Sequence, residues 1–183
     1  MRKWYVLLAA LACAAAGTSV APASGHTAKG CNAVVKALSA DKVAINKYYQ
    51  DGMHFTPGTV TVQSGGTLTF EYGNKQMDAH TLTIVPQAQL PKTPDQVNNC
   101  AVCQKYATPH LKNPKAEPGP SNPIIHWVLN KGAAGLDEVG DSVAIQPDPK
   151  HKSISVKVSA AAGTTLYFVC AVHPWMQGKI VVK

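Results

Sequence analysis

The sequence contains a single arginine, Arg2, among its 183 residues, and no stretch in which arginine alternates with aromatic residues. Surfaces that bind nucleic acid usually combine clustered basic residues with aromatic side chains that stack on bases. The chain also lacks a glycine-rich phosphate loop, and it has no carboxylate pair and no nucleophile with a general base at a recognisable spacing. We therefore expect no nucleic-acid partner, and we expect that the protein is not an enzyme.

Long apolar runs are also missing, apart from a short one near the N-terminus. A basic start precedes apolar residues 4–17 and then a run of small residues. This order is typical of a secretory signal peptide, and the run is short for a membrane span, which needs about 20 apolar residues. We predict a signal peptide over residues 1–25, export to the periplasm or another extracytoplasmic space, and no transmembrane span in the mature chain. A lipid anchor on Cys13 is the alternative, although residues 10–12 match a lipidation box poorly.

Acidic residues are few, with 10 Asp and Glu against 17 Lys and Arg, and the formal net charge is +7. Removal of residues 1–25 would take away Arg2 and Lys3 and leave a charge of +5, with lysine as the source of the positive charges. A solvated lysine surface explains this charge. Steering toward an acidic partner is the alternative, and it requires the lysines to cluster on one face.

Apolar and polar residues alternate with a period of two in most segments after residue 53. These short segments are bounded by turn residues, which predicts an all-β fold, an antiparallel sandwich or barrel, in one main domain over residues 53–183. Residues 26–52 have an imperfect helical spacing and predict an N-terminal arm or a short helix. The alternating segments are residues 59–62, 67–72, 80–85, 153–158, 165–170 and 179–183.

Residues 86–150 interrupt this pattern with many Pro, Asn, Lys and Gly residues. The segment is too long for a plain loop inside a compact domain, so we predict an insertion with some structure of its own. Thr93 followed by Pro94 predicts the start of a helix that continues through residues 96–106. The insertion is therefore expected to be partly helical.

Near the C-terminus, a thiol, an imidazole and a thioether follow one another at intervals of three residues, in Cys170, His173 and Met176. Soft sulfur ligands combined with imidazole favour copper, and two His and one Cys with a weak axial Met define blue-copper centres. Strand alternation places His80 on the same face as Leu82 and Ile84, and it points Cys170 toward the core as well. The alternative is a buried free cysteine with ordinary core neighbours. The whole set, brought to one end of a sandwich, favours a copper site.

These segments resemble the cupredoxin family of small blue-copper proteins, with a ligand loop of the amicyanin or plastocyanin type. The resemblance lies in "GTVTVQSGGTLTFEYGN", "AHTLTIV" and "GTTLYFVCAVHPWMQGKIVVK". It implies a Greek-key β-sandwich that holds one type 1 copper ion. It also implies that His80, Cys170 and His173 are the equatorial ligands, that Met176 is the axial ligand, and that His173 with Pro174 and Trp175 forms the port for electrons. For Trp175, simple packing of the loop is the alternative.

Two features depart from the family pattern. The first histidine lies 90 positions before the cysteine, further than in small members of the family, and the excess falls in the insertion. Thr81 follows the first histidine where many members have Asn. The hydrogen bond to the cysteine sulfur must therefore come from the Thr81 backbone or be altered.

Three further cysteines of the expected mature chain lie outside the ligand loop, and two of them form a Cys-x-x-Cys pair in the insertion, Cys100 and Cys103. Export favours a disulfide, either within this pair or with Cys31. A second metal site that includes His110, or a redox-active dithiol, remains an alternative. The other histidines, His54, His126 and His151, are interpreted as surface or packing residues.

By the resemblance, the expected function is one-electron transfer between redox partners, by cycling of copper between Cu(I) and Cu(II). The expected partner is a redox protein such as a cytochrome or a copper or quinoprotein enzyme. Two alternatives remain. One is binding, storage or delivery of copper, and the other is a role as one domain of a copper-dependent oxidoreductase, which would need a second copper with several His ligands.

Overall fold

The computed structural model describes residues 32–74, 78–116 and 121–183. The predicted signal peptide over residues 1–25 lies outside the described residues. The strands are β1 (Asn32–Leu38), β2 (Lys42–Ala44), β3 (Tyr48–Gln50), β4 (His54–Thr56), β5 (Thr59–Val62), β6 (Thr67–Tyr72), β7 (His80–Val85), β8 (Val128–Leu129), β9 (Ser142–Ile145), β10 (Ser153–Lys157), β11 (Thr165–Val169) and β12 (Gln177–Val182). The helices are α1 (Pro94–Asn98) and α2 (Ala101–Ala107), with 3-10 turns at Gln87–Gln89 and Thr108–His110.

The strands form two main sheets and a small hairpin. One sheet has four strands in the order β10-β6-β1-β4, the other has six in the order β5-β12-β11-β7-β9-β8, and β2 pairs only with β3. The β1·β6 and β5·β12 pairs are parallel, whereas the other pairs are antiparallel. The predicted all-β sandwich is confirmed, and its sheets are mixed rather than wholly antiparallel.

The main core lies between the two sheets and is built from one face of each strand. On β6, Leu68 and Phe70 are fully buried, and on β11 Phe168 is fully buried. Successive side chains of a strand point to opposite faces, so the apolar residues of each alternating segment lie on the face that packs in this core. Other members of the core are Val35, Val62, Leu82, Ile84, Val143, Ile145, Val158, Ile180 and Val182.

The first described strand corrects the prediction of an arm or short helix over residues 26–52. Strand β1 pairs with β4 and β6 near the middle of the four-stranded sheet. Its buried positions are Ala33, Val35 and Ala37, which have a period of two. The sequence pattern was misleading because two of these residues are alanines, and the larger apolar residue Val34 is exposed. The sandwich therefore begins before residue 53.

The insertion covers the outer face of the six-stranded sheet. Thr93 caps α1 by accepting a hydrogen bond from the Gln96 backbone N–H at 3.3 Å, as predicted. The helical segment breaks before α2, where Cys100 takes the N-cap position. Side chains of α2, such as Tyr106, pack against Val169 on the outer face of β11. Within the described ranges, no helix is both long and apolar enough to cross a membrane.

Strand β9 lies inside the insertion and was not predicted. It pairs with β7 on one side and with β8 on the other. All four of its residues, and all six of β7, are buried. A strand that is covered on both faces need not alternate, and in the four residues of β9 the outward-facing Ala144 is apolar, so the pattern that identified the other strands is weak there.

Candidate metal centre

His80 is placed by strand pairing at the end of the sandwich. It is the first residue of β7, where its Cα partner on β9 is Ile145, and it is fully buried. Leu82 and Ile84, on the same face of the strand, are part of the main core. The inward direction that strand alternation predicted for His80 is the one that the structure shows.

The other three candidate ligands lie on the loop that leaves β11. The backbone N–H of Cys170 donates to the Met176 carbonyl at 2.9 Å, and the backbone N–H of Met176 donates to the His173 carbonyl at 2.9 Å. These two bonds close the loop into a compact turn. Cys170 and Met176 belong to the main core, and His173 is 8% exposed.

Three donor atoms from these residues form a nearly equilateral triangle. The Cys170 Sγ lies 3.8 Å from His80 Nδ1 and 3.7 Å from His173 Nδ1, and the two nitrogens are 3.2 Å apart. The point in their plane that is equidistant from the three atoms lies about 2.1 Å from each of them, close to the lengths of metal–nitrogen and metal–thiolate bonds. The donor atoms therefore fit a single metal ion.

Burial sets the protonation states of these groups. It lowers the pKa of His80 to about 3, with a smaller contribution from the neighbouring His173. Burial also lowers the pKa of His173. Both imidazoles are neutral near pH 7, as a metal ligand must be. The pKa of the Cys170 thiol is raised by burial, so a metal that binds the thiolate must displace its proton.

Thr81 connects the two strands that carry the ligands. Its backbone N–H donates to the Cys170 Sγ at 3.4 Å, and its hydroxyl accepts from the Ala171 backbone N–H at 2.7 Å. Both contacts are buried. The hydrogen bond to the cysteine sulfur therefore comes from the Thr81 backbone, which is one of the two possibilities left open by the threonine at this position.

The solvent side of the centre is aromatic. Trp175 is 40% exposed and packs edge-on against the His173 ring, with the ring centroids 5.4 Å apart. Pro174, between them in the sequence, is half-buried. On the other side, Tyr72 contacts the His80 ring at a centroid distance of 5.5 Å. Trp175 thus both packs on the ligand and presents a surface to solvent.

A two-sheet sandwich with one histidine at the start of β7, and with cysteine, histidine and methionine after β11, is the arrangement that the sequence resemblance implied. The fold is cupredoxin-like. The long insertion, residues 86–150, lies between β7 and β11 in the sequence.

No protein-family model matches the chain, and none of the curated proteins compared with it matches in sequence. The chain is similar to reduced auracyanin from Roseiflexus castenholzii, with 16% identity and a TM-score of 0.42 over 84% of this chain and 98% of that one. It is also similar to auracyanin A, a "blue" copper protein from Chloroflexus aurantiacus, with 18% identity and a TM-score of 0.41 over 83% and 99%. A reduced Cu(I) amicyanin gives 16% identity and a TM-score of 0.35 over 71% and 73%. The identities are all below 20% and the TM-scores are all below 0.5, so the function is inferred from the donor atoms of the site.

The candidate residues outside the loop have other roles in the structure. Cys100 and Cys103 form a disulfide, so neither sulfur is available as a ligand in this state. Cys31 lies outside the described residues. His110 is fully buried and is hydrogen-bonded through both ring nitrogens. In the parts of the chain that the structure describes, one group of His, Cys, Asp and Glu residues could hold a metal ion, and it consists of His80, Cys170 and His173.

The remaining histidines occupy the surface or pack against neighbours. His54 and His126 are exposed, and half-buried His151 stacks on Trp127 with centroids 3.8 Å apart. Sequence reasoning missed the contribution of Thr83, Ser142 and His110 to the surroundings of the centre. The available signal was Thr81-x-Thr83, a pair of hydroxyls on the outer face of a strand whose inner face is apolar.

Proposed function

We propose that the protein is an exported type 1 copper protein that carries single electrons between redox partners. The observation that carries this proposal is the buried triangle of one sulfur and two nitrogen atoms with separations of 3.2–3.8 Å. Two imidazoles and one thiolate, with a thioether nearby, are the donor set of blue-copper electron-transfer sites. The sequence resemblance to cupredoxins supports the same proposal.

Copper held by these residues would supply one-electron interchange between Cu(I) and Cu(II). His80 is the first residue of β7 and Cys170 directly follows β11, and these two strands are hydrogen-bonded neighbours in the six-stranded sheet. His173 and Met176 are held by the backbone bonds that close the loop. Since these supports are buried and mutually bonded, the donor geometry is set before any metal binds. Little rearrangement is then needed when the charge at the centre changes.

The surroundings favour an electron carrier over a protein for copper storage or delivery. Copper transfer would benefit from a second set of sulfur ligands, and the nearest candidates, Cys100 and Cys103, are joined in a disulfide. The Cys170 sulfur is fully buried, which hinders ligand exchange with another protein. Both features suit a metal ion that stays in place while electrons move.

We propose that electrons enter and leave through the His173 edge. His173 is the most exposed of the four candidate ligands, at 8%, and Trp175 forms an apolar rim beside it. The partner would be a redox protein, such as a cytochrome or a copper or quinoprotein enzyme. The excess of lysine over acidic residues favours a partner with an acidic surface.

Copper stoichiometry combined with redox cycling of the purified protein tests this function. We expect one copper per chain, retained through repeated reduction and oxidation by one-electron reagents. His173→Ala should weaken retention, while His54→Ala, which removes an exposed histidine, should leave it unchanged. Two or more tightly bound coppers, with loss of the second in Cys100→Ser, would instead support copper handling.

A further inference from the structure

A row of buried hydroxyl groups lies on the outer face of β7, beneath the insertion. Thr81 and Thr83 share this face, and Ser142 is the cross-strand partner of Thr83 on β9. All three residues are fully buried. The Thr81 Oγ1 lies 2.9 Å from Thr83 Oγ1, which lies 2.7 Å from Ser142 Oγ. Buried polar groups are costly unless they are hydrogen-bonded, and valine or alanine would fill the same space without that requirement.

The insertion supplies the end of this row through His110. Its Nε2 lies 2.7 Å from Ser142 Oγ, and its Nδ1 contacts the backbone carbonyl of His126. A carbonyl oxygen can only accept, so Nδ1 carries the hydrogen. Burial lowers the pKa of His110, so the ring is neutral near pH 7 and Nε2 is an acceptor.

This tautomer fixes the direction of every hydrogen bond in the row. Ser142 must donate to the bare Nε2 of His110, and it therefore accepts from Thr83. Thr83 in turn accepts from Thr81, whose oxygen accepts from the Ala171 backbone N–H at 2.7 Å. Five hydrogen bonds thus run in one direction, from the Ala171 N–H to the His126 carbonyl.

The chain of hydrogen bonds ends beside the candidate metal ligand Cys170. We propose that His110 is a positioning residue for the metal centre. Through Ser142 and Thr83, His110 keeps the hydroxyl hydrogen of Thr81 pointed away from the Cys170 sulfur. This inference rests on the proposed copper function. It gives the insertion a role at the centre, through the side chains of His110 and Ser142.

Interrupting this chain of hydrogen bonds should change the hydrogen bonding of the Cys170 sulfur. The Thr81 hydroxyl accepts from the backbone N–H of Ala171, the residue that follows Cys170, and the Thr81 backbone N–H donates to the Cys170 Sγ at 3.4 Å, so the hydroxyl lies beside the sulfur. Once its acceptor on Thr83 is removed, the hydroxyl can turn and donate to the thiolate. An added hydrogen bond withdraws electron density from the sulfur and favours the reduced state of the metal. Loss of this chain of hydrogen bonds should therefore shift the copper centre toward Cu(I).

Thr83→Val and Thr83→Ser are a matched pair for the test. Valine keeps the shape of threonine without the hydroxyl, whereas serine keeps the hydroxyl. In the copper-loaded full chain at a fixed ambient potential, we expect Thr83→Val to raise the Cu(I)/Cu(II) ratio about threefold or more, and Thr83→Ser to stay within about twofold of the unmodified protein. Equal ratios in the two variants would overturn the inference.

His110→Phe should shift the ratio in the same direction as Thr83→Val. The double variant Thr83→Val/His110→Phe should show no further shift, because both substitutions interrupt the same chain. Fully additive shifts would mean that His110 acts independently of Thr83 and would contradict the inference. If His110→Phe does not fold, the Thr83 pair decides the outcome.

A second measurement needs no metal. Hydrogen exchange of the Ala171 amide in the metal-free protein should be about threefold faster or more in Thr83→Val than in Thr83→Ser. Equal exchange rates would contradict the inference, because they would show that the Thr83 hydroxyl does not support the bond from the Ala171 N–H to Thr81. Failure of the unmodified protein to bind copper through its thiolate would count against the proposed function alone, since the exchange comparison does not depend on copper.

Discussion

The Nδ1 atoms of His80 and His173 lie 3.2 Å apart, although 93 positions separate the two residues in the sequence. Two buried ring nitrogens at this distance cannot both belong to imidazolium cations, because the charges would repel each other and neither would be solvated. Burial lowers the pKa of each ring, and the neighbouring His173 lowers the pKa of His80 further. The two nitrogens and the Cys170 sulfur are instead arranged around a position that a cation can occupy.

Acid should destabilise the metal-free protein. The pKa of His80 falls from 6.5 to about 3 on folding, and the pKa values of His173 and His110 are also lowered, each chiefly by burial. Between about pH 6.5 and pH 3 the unfolded chain binds more protons than the folded one, so the free energy of unfolding should decrease as the pH falls through this window. Denaturant titrations of the metal-free protein across this range measure the effect.

Two histidine variants test whether the buried rings cause this pH dependence of the free energy of unfolding. His80→Gln should reduce the pH dependence without abolishing it, because His173 and His110 still contribute in the same direction. His54→Gln, at an exposed position, should leave the dependence unchanged. A free energy of unfolding that does not change between the two ends of the window would show that these rings are not buried as neutral groups.

Trp175→Ala should slow electron exchange with a protein partner while leaving copper binding intact. Trp175 packs on the His173 ring and is 40% exposed, so it contributes contact surface rather than a ligand atom. We expect the second-order rate constant to fall roughly threefold or more. Trp175→Phe should keep most of the rate, and Trp127→Ala, which alters an aromatic residue of the insertion, should keep all of it. An unchanged rate in Trp175→Ala would exclude this rim as the docking surface.

Removal of the disulfide should affect stability only modestly and leave the metal centre intact. Cys100 and Cys103 are separated by three positions, so the bond closes a very short loop. The loss of loop-closure entropy predicts that Cys100→Ser/Cys103→Ser lowers the free energy of unfolding by about 2 kcal/mol. Denaturant unfolding together with copper titration checks both parts. Loss of copper binding in this variant would show that the pair takes part in the metal site.

The strands that carry the candidate ligands were predictable from the sequence because each has one apolar face. Alternation alone pointed His80 and Cys170 toward the core, and no knowledge of the intervening insertion was needed. β1 was missed because Ala33 and Ala37 gave a weak signal beside the exposed Val34. β9 was missed because it has only four residues and the apolar Ala144 occupies one of its outward-facing positions, which weakens the alternation.

The surroundings of the centre were less accessible to sequence reasoning. The contact between Thr81 and the Cys170 sulfur involves a backbone N–H, which carries no sequence signal. The distance from His110 to Ser142 depends on how the insertion folds over β7 and β9, and residues 32 positions apart in a segment without periodicity cannot be paired from the sequence alone. The spacing within the ligand loop was informative because its ligands follow one another on one turn.

Addition of Cu(II) to the purified protein, followed by visible absorption spectroscopy, tests the central claim most directly. We predict an intense thiolate-to-copper charge-transfer band at about one copper per chain, lost in Cys170→Ser and retained in Cys100→Ser/Cys103→Ser. A colourless copper complex, or a band that persists in Cys170→Ser, would contradict the assignment of Cys170 as the thiolate ligand of a type 1 copper centre.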